Sequence, residues 1–171
     1  LRAILEDAVK VGNATARTIS FNPRNKDFYL YPEGYWTTAY LGGYQFMTHN
    51  VRELDARTLF HYIATAVTPA MEIKMVGVGS QYALSNKDSQ GRYLDGSKSY
   101  RLNIPANPPV KNFWSVVVYD PQTRSMLETD NPYPSLNSEL SNVDKNSDGS
   151  VDIYFGPIPP EGKEKNWIQT V

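Results

Sequence analysis

The first apolar positions of the chain, Leu1, Ile4, Leu5, Ala8 and Val9, recur at steps of three and four, with Arg2, Glu6, Asp7 and Lys10 on the other sides. That spacing predicts an amphipathic helix of about three turns. A second helix is predicted over 55–70, where Leu59, Ile63 and Val67 recur every four residues, Phe60, Tyr62 and Ala66 widen the stripe, and Pro69 ends it. Its pattern is that of a largely buried helix, so His61 reads as a satisfied core residue. Between the two, residues 21–44 are punctuated by Pro23, Pro32, Gly34, Gly42 and Gly43 and carry Phe28, Tyr29, Tyr31, Tyr35, Trp36, Tyr40 and Tyr44. This tract reads as loops and short turns whose rings either pack against a neighbouring element or wall a ligand pocket.

Beyond Pro69 the apolar period changes to two, and strands are predicted at 80–85, 99–104, 113–119, 125–129, 151–155 and 167–171. The polar clusters Lys87-Asp-Ser-Gln-Gly91 and Leu94-Asp-Gly-Ser-Lys98 connect the first two, and Asp120-Pro-Gln-Thr-Arg124 turns tightly between the next two. All read as antiparallel connections. No strand–helix–strand alternation follows Pro69, which argues against a doubly wound parallel sheet. The expected fold is mainly β with N-terminal helices (α+β), its β part an antiparallel sandwich of jelly-roll type. In this reading 1–70 form a helical and aromatic-loop portion packed on a β-sandwich domain at 71–171, whose last strand is missing.

Composition sharpens this picture in three places. The 12 Tyr, 12 Pro and 11 Gly among 171 residues agree with a strand-and-turn design in one domain. With 17 basic against 18 acidic residues the net charge is −1, so no broad basic field exists to concentrate nucleic acid. The absence of cysteine removes disulfides, thiolate nucleophiles and Cys-ligated metal centres together. No apolar run approaches the roughly 20 residues of a membrane-crossing helix, so no transmembrane segment is expected. The chain opens on Leu1 and closes inside a β-forming run at 166–171, which leads us to expect that both ends are cut from something longer.

Recognisable chemistry is sparse. Serine-type catalysis needs a base beside the hydroxyl, and the chain holds only His49 and His61; His49, in Met47-Thr-His-Asn50, reads as a loop residue. Gly77-Val-Gly79-Ser80-Gln81 matches neither the nucleophile elbow nor, with Tyr82 in place of the third glycine, a dinucleotide fingerprint. The strongest local pattern is Asp144-Lys-Asn146-Ser-Asp148-Gly149-Ser150-Val-Asp152, which sets oxygen-bearing side chains at every second position with Gly at the bend, as in the first half of a calcium loop. Phe155 stands where the bidentate Glu would be, and Val151, Ile153 and Phe155 alternate as a strand. Two alternatives therefore stand: a hairpin turn at Asp148-Gly149, or a calcium site of Asp144, Asn146, Asp148, Ser150 and Asp152 completed from elsewhere. As ligand-binding candidates we single out Tyr31, Trp36, Arg101, Trp114, Tyr119 and Arg124, whose flat faces and guanidinium forks suit sugars or carboxylates.

Longer motifs carry a resemblance: Lys111-Asn-Phe-Trp-Ser-Val-Val-Val-Tyr-Asp120, Thr123-Arg124, Asn146-Ser-Asp-Gly-Ser-Val-Asp-Ile-Tyr-Phe-Gly-Pro157 and Asn166-Trp-Ile-Gln-Thr170. In these the chain resembles the second, C-terminal domain of bacterial proteins with paired domains of unknown function numbered 1254 and 1214. The resemblance is strongest from about Gly79 to the end. It implies a jelly-roll β-sandwich in proteins that are often exported, hence a periplasmic or extracellular location, and it brings no agreed catalytic residues. Members usually continue through one more strand, and an incomplete sheet leaves an edge that another chain must cover, so we expect association with a second copy or with the missing N-terminal domain. Two functions remain in view. One is a non-catalytic module binding a partner or a carbohydrate. The other is a glycoside or ester hydrolase that uses acidic residues, with or without a cation, in a site shared with a missing domain.

Overall fold

Asn22 and Pro23 stop the first helix, but far later than three turns: in the computed structural model, which describes residues 1–64 and 78–171, helix α1 runs over Arg2–Phe21. The second half of α1 is rich in weak helix formers, which is why the periodicity fades there. Their hydroxyls instead bond backward along the helix, Thr15, Thr18 and Ser20 each donating at 2.8 Å to the carbonyl four residues earlier. The Asn22 N–H closes the last turn on the Thr18 carbonyl at 2.9 Å. Only Ile19 and Ser20 of α1 are buried, while the predicted apolar stripe at Leu1, Ile4, Leu5 and Val9 is exposed.

Two compact units make up the chain, Leu1–Tyr93 and Leu94–Val171. In the first, α1 packs on helix α2 (Leu54–Ala64). The predicted second helix thus forms, and its continuation over 65–70 lies outside the described residues. Ala56, Leu59, Phe60 and Tyr62 face inward; His61 is exposed, a correction to its expected place in the core, because it falls one turn after Arg57 on the outer face. The core joins Ile19 to Phe28, Ala39, Phe46, Ala56, Leu59 and Phe60. Packing is therefore what the aromatic tract does at Phe28, which is fully buried, and at Tyr40 and Phe46, whose rings lie 5.5 and 6.1 Å from that of Phe60.

Short ladders line this unit: the strand expected at 80–85 forms at its end, and its partner lies in the tract expected as loops. β1 (Trp36–Thr37) pairs antiparallel with β4 (Leu84–Ser85), and β2 (Met47–Thr48) with β3 (Val51–Arg52). The β2–β3 turn places both His49 and Asn50 at positive φ, 48° and 62°, the left-handed pair that a tight two-residue hairpin requires. Near β4 the Lys87 ammonium donates to Asn22 at 2.8 Å and sits 5.8 Å from the Tyr35 ring and 5.0 Å from the Tyr93 ring.

The second unit is built on a three-stranded sheet in the order β5 (Tyr100–Ile104), β8 (Val151–Gly156), β9 (Trp167–Gln169), and a two-stranded sheet of β6 (Ser115–Val117) with β7 (Ser135–Asn137). Side chains of both sheets enter one core: Val151, Ile153 and Ile168 are buried, with Leu102, Val116 and Leu136 packed against them. Strands at 99–104, 151–155 and 167–171 are where the alternation put them.

Three expectations change. The segment 125–129 makes only a bridge, Met126 to Tyr119, because Arg124 turns into a left-handed conformation at φ 64°. β6 pairs instead with β7, which follows Pro132 and Pro134 and so carried no strand signal. The clusters at 87–91 and 94–98 do not join a hairpin pair: β4 is taken by β1, and β5 by β8. Finally, β9 runs parallel to β8, reached through a loop with a 3₁₀ turn at Glu164–Asn166. Among the described residues the fold is mixed α+β, with two helices and small, mostly antiparallel sheets. No helix among the described residues is long and apolar enough to cross a membrane.

Candidate functional site

The 144–152 loop closes as a hydrogen-bonded turn just before β8. The Asn146 N–H donates to the Ser150 carbonyl at 2.8 Å, and the Gly149 N–H to the Asn146 carbonyl at 2.9 Å, which closes the turn. Inside it, Asp148 Oδ1 accepts both the Ser150 N–H at 2.9 Å and the Ser150 hydroxyl at 2.7 Å. Asn146 Nδ2 donates to Ser150 Oγ at 2.9 Å, and Asn103 Nδ2, across on β5, donates to Asp152 Oδ1 at 2.8 Å. Asp144 turns outward, its carboxylate accepting from Lys165 Nζ at 3.3 Å.

These contacts set the charge of the loop. The Ser150 hydroxyl, then its N–H, hold the Asp148 carboxyl below the ordinary range. For Asp152 the Asn103 amide is the largest influence; burial opposes it, and Asn146 with the charges of Arg101 and Lys163 adds to the lowering. Arg101 itself stands 3.9 Å from Asp152. Four of the five predicted ligands are thus drawn together, with protein donors on their oxygens, so a calcium ion here would have to displace the Ser150 donors from Asp148. No group of three or more acidic or imidazole side chains placed to hold a metal occurs among the described residues.

Sequence reasoning missed the residue that anchors this loop. Asn166 is 4% exposed, and its Oδ1 accepts the Asp144 N–H at 2.7 Å while its Nδ2 donates at 2.8 Å to the carbonyls of both Asp144 and Asp152. It ties the entry and exit of the loop to the start of β9. A polar residue before a strand carries no signal of such a role, because its partners lie 14 and 22 positions away.

The predicted ligand-binding residues divide between the units. Tyr31 (62% exposed) and Trp36, half-buried at the head of β1, belong to the first. Arg101, Trp114, Tyr119 and Arg124 belong to the second. Tyr119 (55% exposed) and Arg124 share the 119–126 turn, and Arg101 accompanies Asp152.

Trp114 is the one of these four that lines a concavity, a cavity of 70 Å³ formed with Pro105, Pro108, Ser138, Lys145 and Gly149 among others. Each wall has a local cause. The prolines end β5 because they cannot continue its ladder. Trp114 and Ser138 are locked together across the end of the β6–β7 pair: the Trp114 N–H donates to Ser138 Oγ at 3.1 Å, and the Ser138 N–H to the Trp114 carbonyl at 3.0 Å. Gly149, at φ 83°, approaches so closely that a Cβ there would stand 3.2 Å from the Ala106 Cβ. Lys145 and Ser138 were overlooked; Lys145 reads in sequence as a spacer between oxygen ligands. A second, larger groove of 380 Å³ runs along α1, past Val11, Ala14, Thr18, Ile19 and Arg24. Neither concavity has an acidic residue among its described lining, and the carboxyls of Asp88, Asp95, Asp148 and Asp152 are all held below their ordinary range by hydrogen bonds from neighbouring groups.

Comparison with known families now adds to this geometry. The model of the family described as "Protein of unknown function (DUF1214)" matches residues 79–171, more than half of the chain. The chain belongs to the DUF1214 family. The matched stretch contains the 144–152 loop, Asn166 and the whole Trp114 cavity, so these are features of the DUF1214 part of the chain. Among solved structures, the VPA0106 protein from Vibrio parahaemolyticus is 27% identical, with a TM-score of 0.45; the alignment covers 67% of this chain and 27% of that one. This chain therefore spans about a quarter of the length of that relative. No curated protein matches it.

Proposed function

We propose that this DUF1214 chain is a non-catalytic binding module that takes a small ligand at the cavity beside Trp114. The observation that carries the reading is the lining: Trp114, Pro105, Pro108, Ser138 and Lys145 come together around one concave site. Flat apolar walls with a few placed donors are the usual make-up of a small-molecule site, and they suit a sugar or a compact organic ligand. Reciprocal hydrogen bonds between Trp114 and Ser138 hold the wall in place before any ligand arrives. In this proposal the β5–β8–β9 and β6–β7 sheets are the two layers of a jelly-roll sandwich, a reading supported by their common core. Export to the bacterial periplasm or beyond, and work beside a 1254-type domain, belong to the same proposal and rest on the sequence resemblance.

The test is a fragment panel of monosaccharides and small acids, amines and amides, followed through the indole N–H resonance of Trp114 in ¹H–¹⁵N spectra. The chain has three tryptophans, and Trp114→Phe assigns the signal. Saturable shifts of that resonance are expected, and Trp114→Ala should abolish the heat of binding of the same compound in calorimetry. No shift with any compound, or turnover of a model glycoside or ester by the purified chain, would refute the module.

A further inference from the structure

From the charge and size of the cavity we infer that its ligand group is a short aliphatic carboxylate. This rests on the reading of the cavity as a binding site and adds its chemical class. Lys145 is the one charged residue among the described lining. Its side chain is exposed and makes no hydrogen bond or ion pair with any described residue, so its ammonium is available to an incoming anion. The neighbouring carboxylates are committed elsewhere: Asp144 to Lys165, and Asp148 to the Ser150 N–H and hydroxyl.

The other polar groups at the cavity are also donors. Ser138 Oγ accepts the Trp114 N–H, and no described residue accepts its own hydrogen. The Trp114 indole N–H likewise has no acceptor among the described residues. The polar residues that line the cavity, Lys145, Ser138 and Trp114, carry side-chain hydrogens that no described residue accepts, a lining that suits a group that only accepts, and an ionised carboxylate does so with two oxygens. Pro105, Pro108 and the indole face leave the remaining wall apolar. A volume of 70 Å³ is a little more than two shares of liquid water at about 30 Å³ each, room for the carboxylate head and about one carbon of a short aliphatic stub. Gly149 keeps that space open, since any side chain there would be driven toward Ala106.

The experiment titrates the chain at constant ionic strength with propionate, with its neutral isostere propanamide, and with N-acetylalanine, which carries the same carboxylate at the end of a longer molecule. The readout is again the Trp114 indole resonance. Propionate or N-acetylalanine should saturate, with propanamide weaker by about tenfold and Lys145→Gln weaker for the acids by about tenfold, while Lys145→Arg retains most of the affinity. Tighter binding of N-acetylalanine would place the carboxylate at a chain end, and tighter binding of propionate would make it a free acid. Lys145 is exposed, so its variants keep the fold, and dispersed amide spectra verify this. Propanamide binding as tightly as propionate, or Lys145→Gln changing nothing, overturns the carboxylate while leaving the binding cavity. Silence of the Trp114 signal toward every compound in both panels overturns the two together.

Discussion

Removing the Asn166 side chain should cost the second unit more than any other single polar truncation in the 144–152 region. Asn166→Ala deletes three hydrogen bonds of 2.7 to 2.8 Å and leaves the Asp144 N–H and the carbonyls of Asp144 and Asp152 without their partner. A typical net contribution is about 1 kcal/mol per bond, and an orphaned buried group costs about 1 to 3 kcal/mol. Asp144 is exposed, so water recovers part of its loss, and the working figure is about 2 to 4 kcal/mol. Urea unfolding followed by tryptophan fluorescence measures it. With a slope of about 2 kcal/mol per molar, the midpoint should fall by about 1 to 2 M. Asn166→Asp separates hydrogen bonding from packing. It preserves shape and the acceptor for the Asp144 N–H but aims an anion at two carbonyls, so at neutral pH it should destabilise at least as much as Ala. Acidification should then recover part of the loss, because the protonated acid donates again. If both variants unfold within about 0.5 kcal/mol of the parent chain, the clamp contributes nothing and the argument fails.

Acid should act on the same loop. The carboxyls of Asp148 and Asp152 lie below their unfolded values of about 3.9, so their stabilisation is fully present above that pH and is lost as pH falls through the lowered values. Unfolding curves between about pH 5 and pH 2 should flatten in the Asp148→Asn, Asp152→Asn double variant, and an unchanged slope would dissociate the loop from the acid response. Gly96→Val should destabilise by about 2 kcal/mol or more in the same urea assay, because even a Cβ at Gly96 would sit 1.9 Å from the Val171 carbonyl oxygen. It should also break the Thr170 hydroxyl bond to the Gly96 carbonyl; parental stability would mean that the end of β9 is not held there. Association is expected as well: β5 and β9 are the outer strands of their sheet among the described residues, and light scattering at micromolar concentration should give a mass above that of one chain, a clean monomer counting against it.

Periodicity alone was enough to place α2 to Ala64, the start of α1, β5 to within a residue and all of β8 but Gly156, because in these segments the side-chain pattern and the backbone repeat agree. Residues 13–20 of α1 were illegible, since polar residues that disfavour helix in isolation are held there by back-bonds and by the anchor of Ile19 in the core. β7 hid behind its prolines, and the parallel β8–β9 pairing could not be read from either strand, because alternation names a strand but not its neighbour. The oxygen-rich loop was visible as a pattern with two meanings, and its geometry is that of a turn whose donors come from Ser150, Asn146 and Asn103. Trp114 was legible as a flat residue worth a ligand, but its cavity was not. Pro105, Ser138, Lys145 and Gly149 lie on separate stretches of the chain, and only folding brings them to one wall. Local sequence determines helix or strand where the side-chain pattern and the backbone repeat agree, as in α2 and β8, since that preference is decided within a few residues. Sites such as the Asn166 clamp and the Trp114 cavity join residues distant along the chain, and tertiary packing alone decides them.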